Sequence, residues 1–109
     1  MSLPISVIIL TYNEELNIEE CLKSVSDFAQ DIFIVDSFST DKTLAIAKRY
    51  TNNAIQHPFK TQAKQFNWAL DNLEISTDWI MRLDADERVT PELKGELAKK
   101  LNIFESNIS

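Results

Sequence analysis

The strongest constraint on this chain is a repeated change of hydrophobic period. Ile5 to Leu10 (ISVIIL) is a continuous β-branched apolar run stopped by the polar TYNEE, the pattern of a strand buried on both faces. From Asn17 the apolar residues Ile18, Cys21, Leu22 and Val25 follow at i, i+3, i+4 and i+7. That is one face of an amphipathic helix, and Glu14, Glu15, Glu19 and Glu20 surround its positive N-terminal end. The switch then recurs. Ile32 to Val35 reads as a second strand, followed by a helix through about Tyr50 with Ser39 or Thr40 as N-cap and Asp41 in the first turn. Ala54 to Gln56 is a weaker strand, after which Ala63, Phe66, Leu70 and Leu73 mark a third helix face. Trp79 to Leu83 is the fourth strand. Thr90-Pro91-Glu92 starts a last helix, with Leu93, Leu97 and Leu101 as its inner stripe.

Strand and helix alternating four times predicts an α/β fold with a mostly parallel sheet of about four strands flanked by helices. The length of 109 residues fits one domain, assigned to residues 1–104 with a frayed tail over 105–109. Hydrophobic residues at 44% and charged residues at 26% provide for a core and exclude a disordered chain. The net charge of -6, with its Lys and Arg scattered, argues against a nucleic-acid partner. Cys21, the single cysteine, occupies an apolar helix position and reads as a small buried hydrophobe in a reducing compartment. Residues 1 to 10 lack the basic leader and cleavage site of a signal peptide, and no window is long enough for a membrane span.

In parallel sheets ligands bind outside the carboxyl ends of the strands. Three polar clusters fall at such ends: Thr11-Tyr12-Asn13-Glu14, Asp36 to Asp41, and Asp84-Ala85-Asp86-Glu87. An isolated Asp-x-Asp carries little weight, but three clusters on one rim point to a site. The only glycine, Gly95, lies in the last helix, which excludes the glycine-rich loops that cradle phosphates elsewhere. Paired carboxylates on a loop suit a hard cation such as Mg²⁺ or Mn²⁺, which keeps waters and accepts diphosphate oxygens. Tyr12 offers a flat face or a hydroxyl to a base, and Asp36, Ser37 and Ser39 offer hydrogen bonds to base or ribose. Glu87, beside the acid pair, reads as a supporting acid, and His57 and both tryptophans as structural.

The succession SVIILTYNEE, IVDSFSTDKT, QFNWAL and IMRLDADERVTPEL resembles the nucleotide-binding half of family 2 of the glycosyltransferases. The resemblance covers nearly the whole chain, and its wording is similar to bacterial members that extend lipopolysaccharide core or other surface glycans. It implies the three-layer, Rossmann-like GT-A fold and a nucleotide-diphospho-sugar donor, usually UDP-linked. Leu10, Thr11, Tyr12, Asn13, Glu14, Asp36, Ser37, Lys64, Asn67, Asp84 and Ala85 would then bind the nucleotide, while Asp84 and Asp86 would hold Mg²⁺ or Mn²⁺. It further implies inversion at the anomeric carbon, a glycan or lipid-linked acceptor, and a cytoplasmic location compatible with peripheral association at the inner membrane face. The acceptor half and catalytic base of such enzymes lie beyond the matched segment, so no base is assigned. The sequence departs from many relatives at Ser37 and Phe38, where a second acid and a glycine are common, and at Phe66, where a basic residue is common.

Three other readings compete. A haloacid dehalogenase-type phosphatase also uses Asp-x-Asp, but Arg88 stands where a small residue is needed and the motif follows the fourth strand instead of the first. A helix-loop-helix calcium site fails because Val89 occupies the glycine position. A non-catalytic nucleotide-sugar-binding half-domain stands as the alternative to a transferase.

Overall fold

The computed structural model describes residues 3 to 108, with side chains through Lys99. Its elements alternate as expected: β1 (Leu3–Thr11), α1 (Ile18–Ser26), β2 (Ala29–Asp36), α2 (Thr43–Ala47), β3 (Ala54–Gln56), α3 (Gln62–Asn72), β4 (Trp79–Asp84) and α4 (Pro91–Ile108). The four strands form one parallel sheet in the order β3-β2-β1-β4. In this order the crossovers from β1 to β2 and from β2 to β3 run to one side of β1, and the crossover from β3 to β4 returns to its other side. A crevice therefore opens outside the carboxyl ends of β1 and β4.

The continuous apolar runs are explained by two cores, one on each face of the sheet. Ile5, Val7 and Ile9 of β1 pack with Ile34 of β2 against Ile18, Leu22 and Val25 of α1. Ala47 of α2 belongs to this cluster, and Leu97 and Ala98 of α4 pack on it. Ile8 and Leu10 join Phe33 and Val35 against Ala69 of α3 on the other face. The result is three layers, with α3 alone among the described helices on its side. Each fully buried Ile here contributes about 2 kcal/mol of transfer free energy.

The structure corrects several local expectations. Strand β3 spans the expected residues, while β1, β2 and β4 run one to three residues beyond the apolar runs, because parallel pairing also holds polar ends such as Thr11 opposite Asp36. The second helix ends at Ala47 and starts after Lys42, so neither Ser39 nor Thr40 is its N-cap; Asp41 instead accepts the Thr43 N–H at 2.9 Å. On α3 the buried face is Gln65 and Ala69, with Phe66, Trp68 and Leu73 partly buried, while Ala63 and Leu70 are exposed. Leu93 of α4 is 41% exposed; Leu101 lies outside the described side chains. Helix α4 runs continuously to Ile108, and the expected tail over 105–109 falls where no side chain is described.

Thr90 behaves as expected of an N-cap, its hydroxyl accepting the Leu93 N–H at 3.2 Å ahead of Pro91. Cys21 is buried, and burial pushes its thiol pKa up to about 12. No described helix is long and apolar enough to cross a membrane.

Candidate active site

All three polar strand ends meet at the switch point. A cleft of about 260 Å³ is lined by Leu10, Thr11, Tyr12 and Glu14 from the end of β1, Ser37 after β2, and Asp84, Ala85 and Asp86 from the end of β4. Phe59 and Gln62, from the β3–α3 connection and the first turn of α3, complete its lining.

The loops forming this rim are tied to one another. The Ser37 N–H donates to the Thr11 carbonyl at 2.9 Å, and the Ala85 N–H to the Leu10 carbonyl at 3.3 Å. Asn13 turns the β1 loop in the left-handed region (φ 48°), a conformation Asn tolerates. Its N–H donates to Ser39 Oγ and its Oδ1 accepts the Thr40 N–H, both at 2.8 Å. Glu14 donates its N–H to Thr43 Oγ1 at 2.8 Å. Two separate strand ends are thereby fixed as one surface.

Asp36 is fully buried at the end of β2, with its carboxylate occupied inside the loop. Oδ2 accepts the Ser39 N–H at 2.8 Å and the Gln56 amide at 3.2 Å, while Oδ1 accepts the Ser39 hydroxyl. Asp36 thus shapes the rim. Ser39, expected as a helix cap, is the link that passes this order on to Asn13. Phe38, where many relatives are expected to carry glycine, adopts φ 59° with its ring 52% exposed.

The acid loop is organised in a similar way. Asp84 donates its N–H to Glu87 Oε1 at 2.8 Å, and Glu87 returns its N–H to the Asp84 carbonyl at 2.9 Å. Glu87 is therefore a loop cap, as its supporting role required. The flanking arginines point elsewhere: Arg82 lies over the Phe66 ring at 5.9 Å, and Arg88 reaches Asn17 Oδ1 and the Glu87 carbonyl at 3.4 Å each.

Charge in the cleft is unbalanced. Partial burial, then the neighbouring Glu87 and Asp86, hold the Asp84 carboxyl above its ordinary value, although Arg82 works against them. Glu14 is likewise raised, by burial first and then by Asp86, Asp41 and Asp84. Acids that resist ionisation beside one another fit a site completed by positive charge. Among the described residues no three His, Cys, Asp or Glu side chains group around one point. Two carboxylates still match a hard cation that takes its other oxygens from water and phosphate. Thr11 Oγ1, buried at the cleft, has no hydrogen-bond partner among the described residues. Such an orphan calls for a ligand atom or water.

Lys64 and Asn67 are exposed on α3 and are not among the cleft-lining residues. Conversely, Phe59 and Gln62 lie outside the motif blocks, and the buried Gln65, the first residue of QFNWAL, has no role in the reading of that block. Gln65 was detectable in one respect, as a polar residue four positions before Ala69 on the inner face of a helix. His57 stacks on Trp68 with ring centroids 3.9 Å apart, which accounts structurally for both residues.

This chain matches the profile of Glycosyl transferase family 2 over residues 6–108. It belongs to the family 2 glycosyltransferases. It is 37% identical over 93 residues to an uncharacterized glycosyltransferase of Rickettsia bellii, a match covering 85% of this chain and 31% of that protein. It is 35% identical over 104 residues to the lipopolysaccharide core biosynthesis glycosyltransferase LpsC of Rhizobium meliloti, covering 91% of this chain and 37% of LpsC. Among solved structures it is similar to S. aureus TarS in complex with UDP-GlcNAc, with TM-score 0.66 and 30% identity over 87% of this chain and 30% of that one. The family 2 chain thus has the GT-A fold and spans about a third of the length of these relatives. Family membership removes the phosphatase alternative.

Proposed function

We propose that this family 2 chain is the donor-binding part of an inverting, metal-dependent glycosyltransferase that uses a UDP-sugar. The acceptor is a glycan or lipid-linked intermediate of bacterial lipopolysaccharide or other surface polysaccharide, built at the cytoplasmic face of the membrane. The observation that carries this reading is the convergence of three strand-end clusters on one acid-lined cleft at the sheet's switch point. The likeness to TarS in complex with UDP-GlcNAc and to LpsC supports the choice of donor and pathway class.

In this reading Tyr12, 56% exposed beside Leu10, gives the base a flat apolar face. Thr11 and Ser37 supply polar contacts at the cleft floor. Asp84 and Asp86 hold Mg²⁺ or Mn²⁺, and Glu87 keeps the Asp84 backbone in place. When bound, the cation neutralises the charge that develops on the diphosphate leaving group. Asp36 acts through the loop it orders, without touching the nucleotide. No residue here is assigned as the catalytic base, and the chain alone is expected to bind donor without transferring sugar.

Calorimetry with UDP tests the reading. Binding should require Mn²⁺ or Mg²⁺ and should weaken at least tenfold in Asp86→Ala, the scale of about 1.4 kcal/mol expected when a contact to a charged group is lost. Metal-independent binding, or an unchanged affinity in Asp86→Ala, removes the metal role. Sugar transfer by the 109-residue chain alone would overturn the half-site reading.

A further inference from the structure

We propose that Gln65, which does not line the cleft, positions the Ser37 hydroxyl for a hydrogen bond to the nucleotide. The proposal rests on the donor-site reading above.

The argument is one of proton bookkeeping. Gln65 is 1% exposed and makes three side-chain contacts. Its Nε2 lies 3.2 Å from the His57 carbonyl oxygen and 3.1 Å from Ser37 Oγ, and its Oε1 lies 2.8 Å from His57 Nδ1. A backbone carbonyl only accepts, so the atom facing it is the amide nitrogen; the flipped amide would set two oxygens against each other. Oε1 then faces His57 Nδ1, which therefore carries a hydrogen. The stack on Trp68 holds the imidazole in that orientation.

The second amide hydrogen of Gln65 is left for Ser37 Oγ, which accepts it. A serine hydroxyl has one hydrogen of its own, and among the described residues no acceptor is hydrogen-bonded to it. The Ser37 backbone is pinned to Thr11, and its side chain borders the cleft. That hydrogen is thus available to a ligand in the cleft. With one lone pair filled by Gln65, rotation of the hydroxyl is restricted and its hydrogen suits a carbonyl, hydroxyl or phosphate oxygen or a bare ring nitrogen. Gln65 is then a positioning residue whose influence reaches the ligand only through Ser37.

The test is UDP affinity with Mn²⁺, measured by calorimetry on the full chain for Ser37→Ala, Ser37→Thr, Gln65→Leu and the Ser37→Ala/Gln65→Leu double variant. Ser37→Ala should weaken binding about tenfold, and Ser37→Thr, which restores a hydroxyl, should stay within about threefold of the wild type. Gln65→Leu should weaken it several-fold alone and add nothing to Ser37→Ala, as coupled neighbours require. A purely structural Gln65 would give losses that add in the double variant, which overturns the proposal. So does an unchanged affinity in Ser37→Ala. If Gln65→Leu does not fold, the Ser37 pair decides: equal affinities for the Ala and Thr variants overturn the proposal, and recovery with Thr supports it. Wild-type chain that fails to bind UDP overturns the donor-site reading and this inference with it, whereas wild-type binding with unresponsive variants removes only the inference.

Discussion

At the residue scale, Phe38 departs most from local preference. A non-glycine residue at φ 59° carries strain of about 1 kcal/mol, and its half-exposed ring gains little burial in return. Phe38→Gly should therefore raise stability by about 0.5 kcal/mol after the greater entropy of the unfolded glycine chain is deducted, read as a higher urea midpoint. A lower midpoint would mean that the ring's contacts outweigh the strain. The cleft acids make a second prediction. Asp84 and Glu14 are both held above their ordinary values of 3.8 and 4.5, mainly by burial and neighbouring acids. The folded chain then binds their protons more tightly than the unfolded one, so their contribution to stability is greatest while both are protonated. It falls as pH rises from those ordinary values through the raised folded ones. Asp84→Asn should flatten that decline and stabilise the metal-free chain at pH 7 by about 0.5 kcal/mol, in thermal melts from acid to neutral pH. The same change should abolish metal-dependent UDP binding, so the acid is retained at a cost in stability.

At the scale of elements, the helices divide into those that sequence pattern specifies and those that packing selects. Helix α1 has its four predicted apolar residues buried, and α4 begins at the predicted Thr90-Pro91 signal. Thr90→Ala should cost about 1 kcal/mol of stability through loss of the cap, measured by urea denaturation; a change below about 0.3 kcal/mol would show that α4 starts do not depend on this hydroxyl. Helix α3 is different. Its predicted apolar stripe is partly exposed, because the buried face turns to place Gln65 beneath the Ser37 hydroxyl and the His57 carbonyl and Ala69 against β1 and β2. The short α2 has only Thr43 and Ala47 buried, since the residues before it are recruited to lace the β1 and β2 loops together. Strand β1, central and buried, is the least tolerant element. Ile9→Ala should destabilise by roughly 3 kcal/mol, the cost of a cavity that close-packed neighbours cannot fill.

At the scale of the whole molecule, strand order turns separate motifs into one site. With β1 between β2 and β4, residues 11, 37 and 84 become neighbours although they are far apart in sequence. The cleft is then a property of the topology, and binding there should stabilise the fold as a unit. UDP at ten times its dissociation constant, with Mn²⁺, should add about 1.4 kcal/mol and raise Tm by several degrees, while UDP without metal should leave Tm where it is. Scanning fluorimetry with and without the cation checks both halves of that statement. An equal shift without the cation would show that the phosphates do not need the acid pair. The net charge of -6 adds a reason for the cation, since a diphosphate approaching this acidic rim is otherwise repelled.

The sequence by itself determined the α/β class, the order and nature of the elements, the three polar strand ends and, through four motif blocks, the glycosyltransferase family. Those properties are local: the hydrophobic period reports which faces are buried, and caps and breakers report where elements stop. Only the tertiary structure decided the strand order, the turning of α3 toward Gln65, the enclosure of Asp36 in its own loop and which motif residues line the cleft. The physical reason is that hydrogen bonding is settled by which groups meet across the fold. A buried carboxylate or amide must find partners, and no sequence spacing reveals whether those partners are ligand atoms or the protein's own backbone.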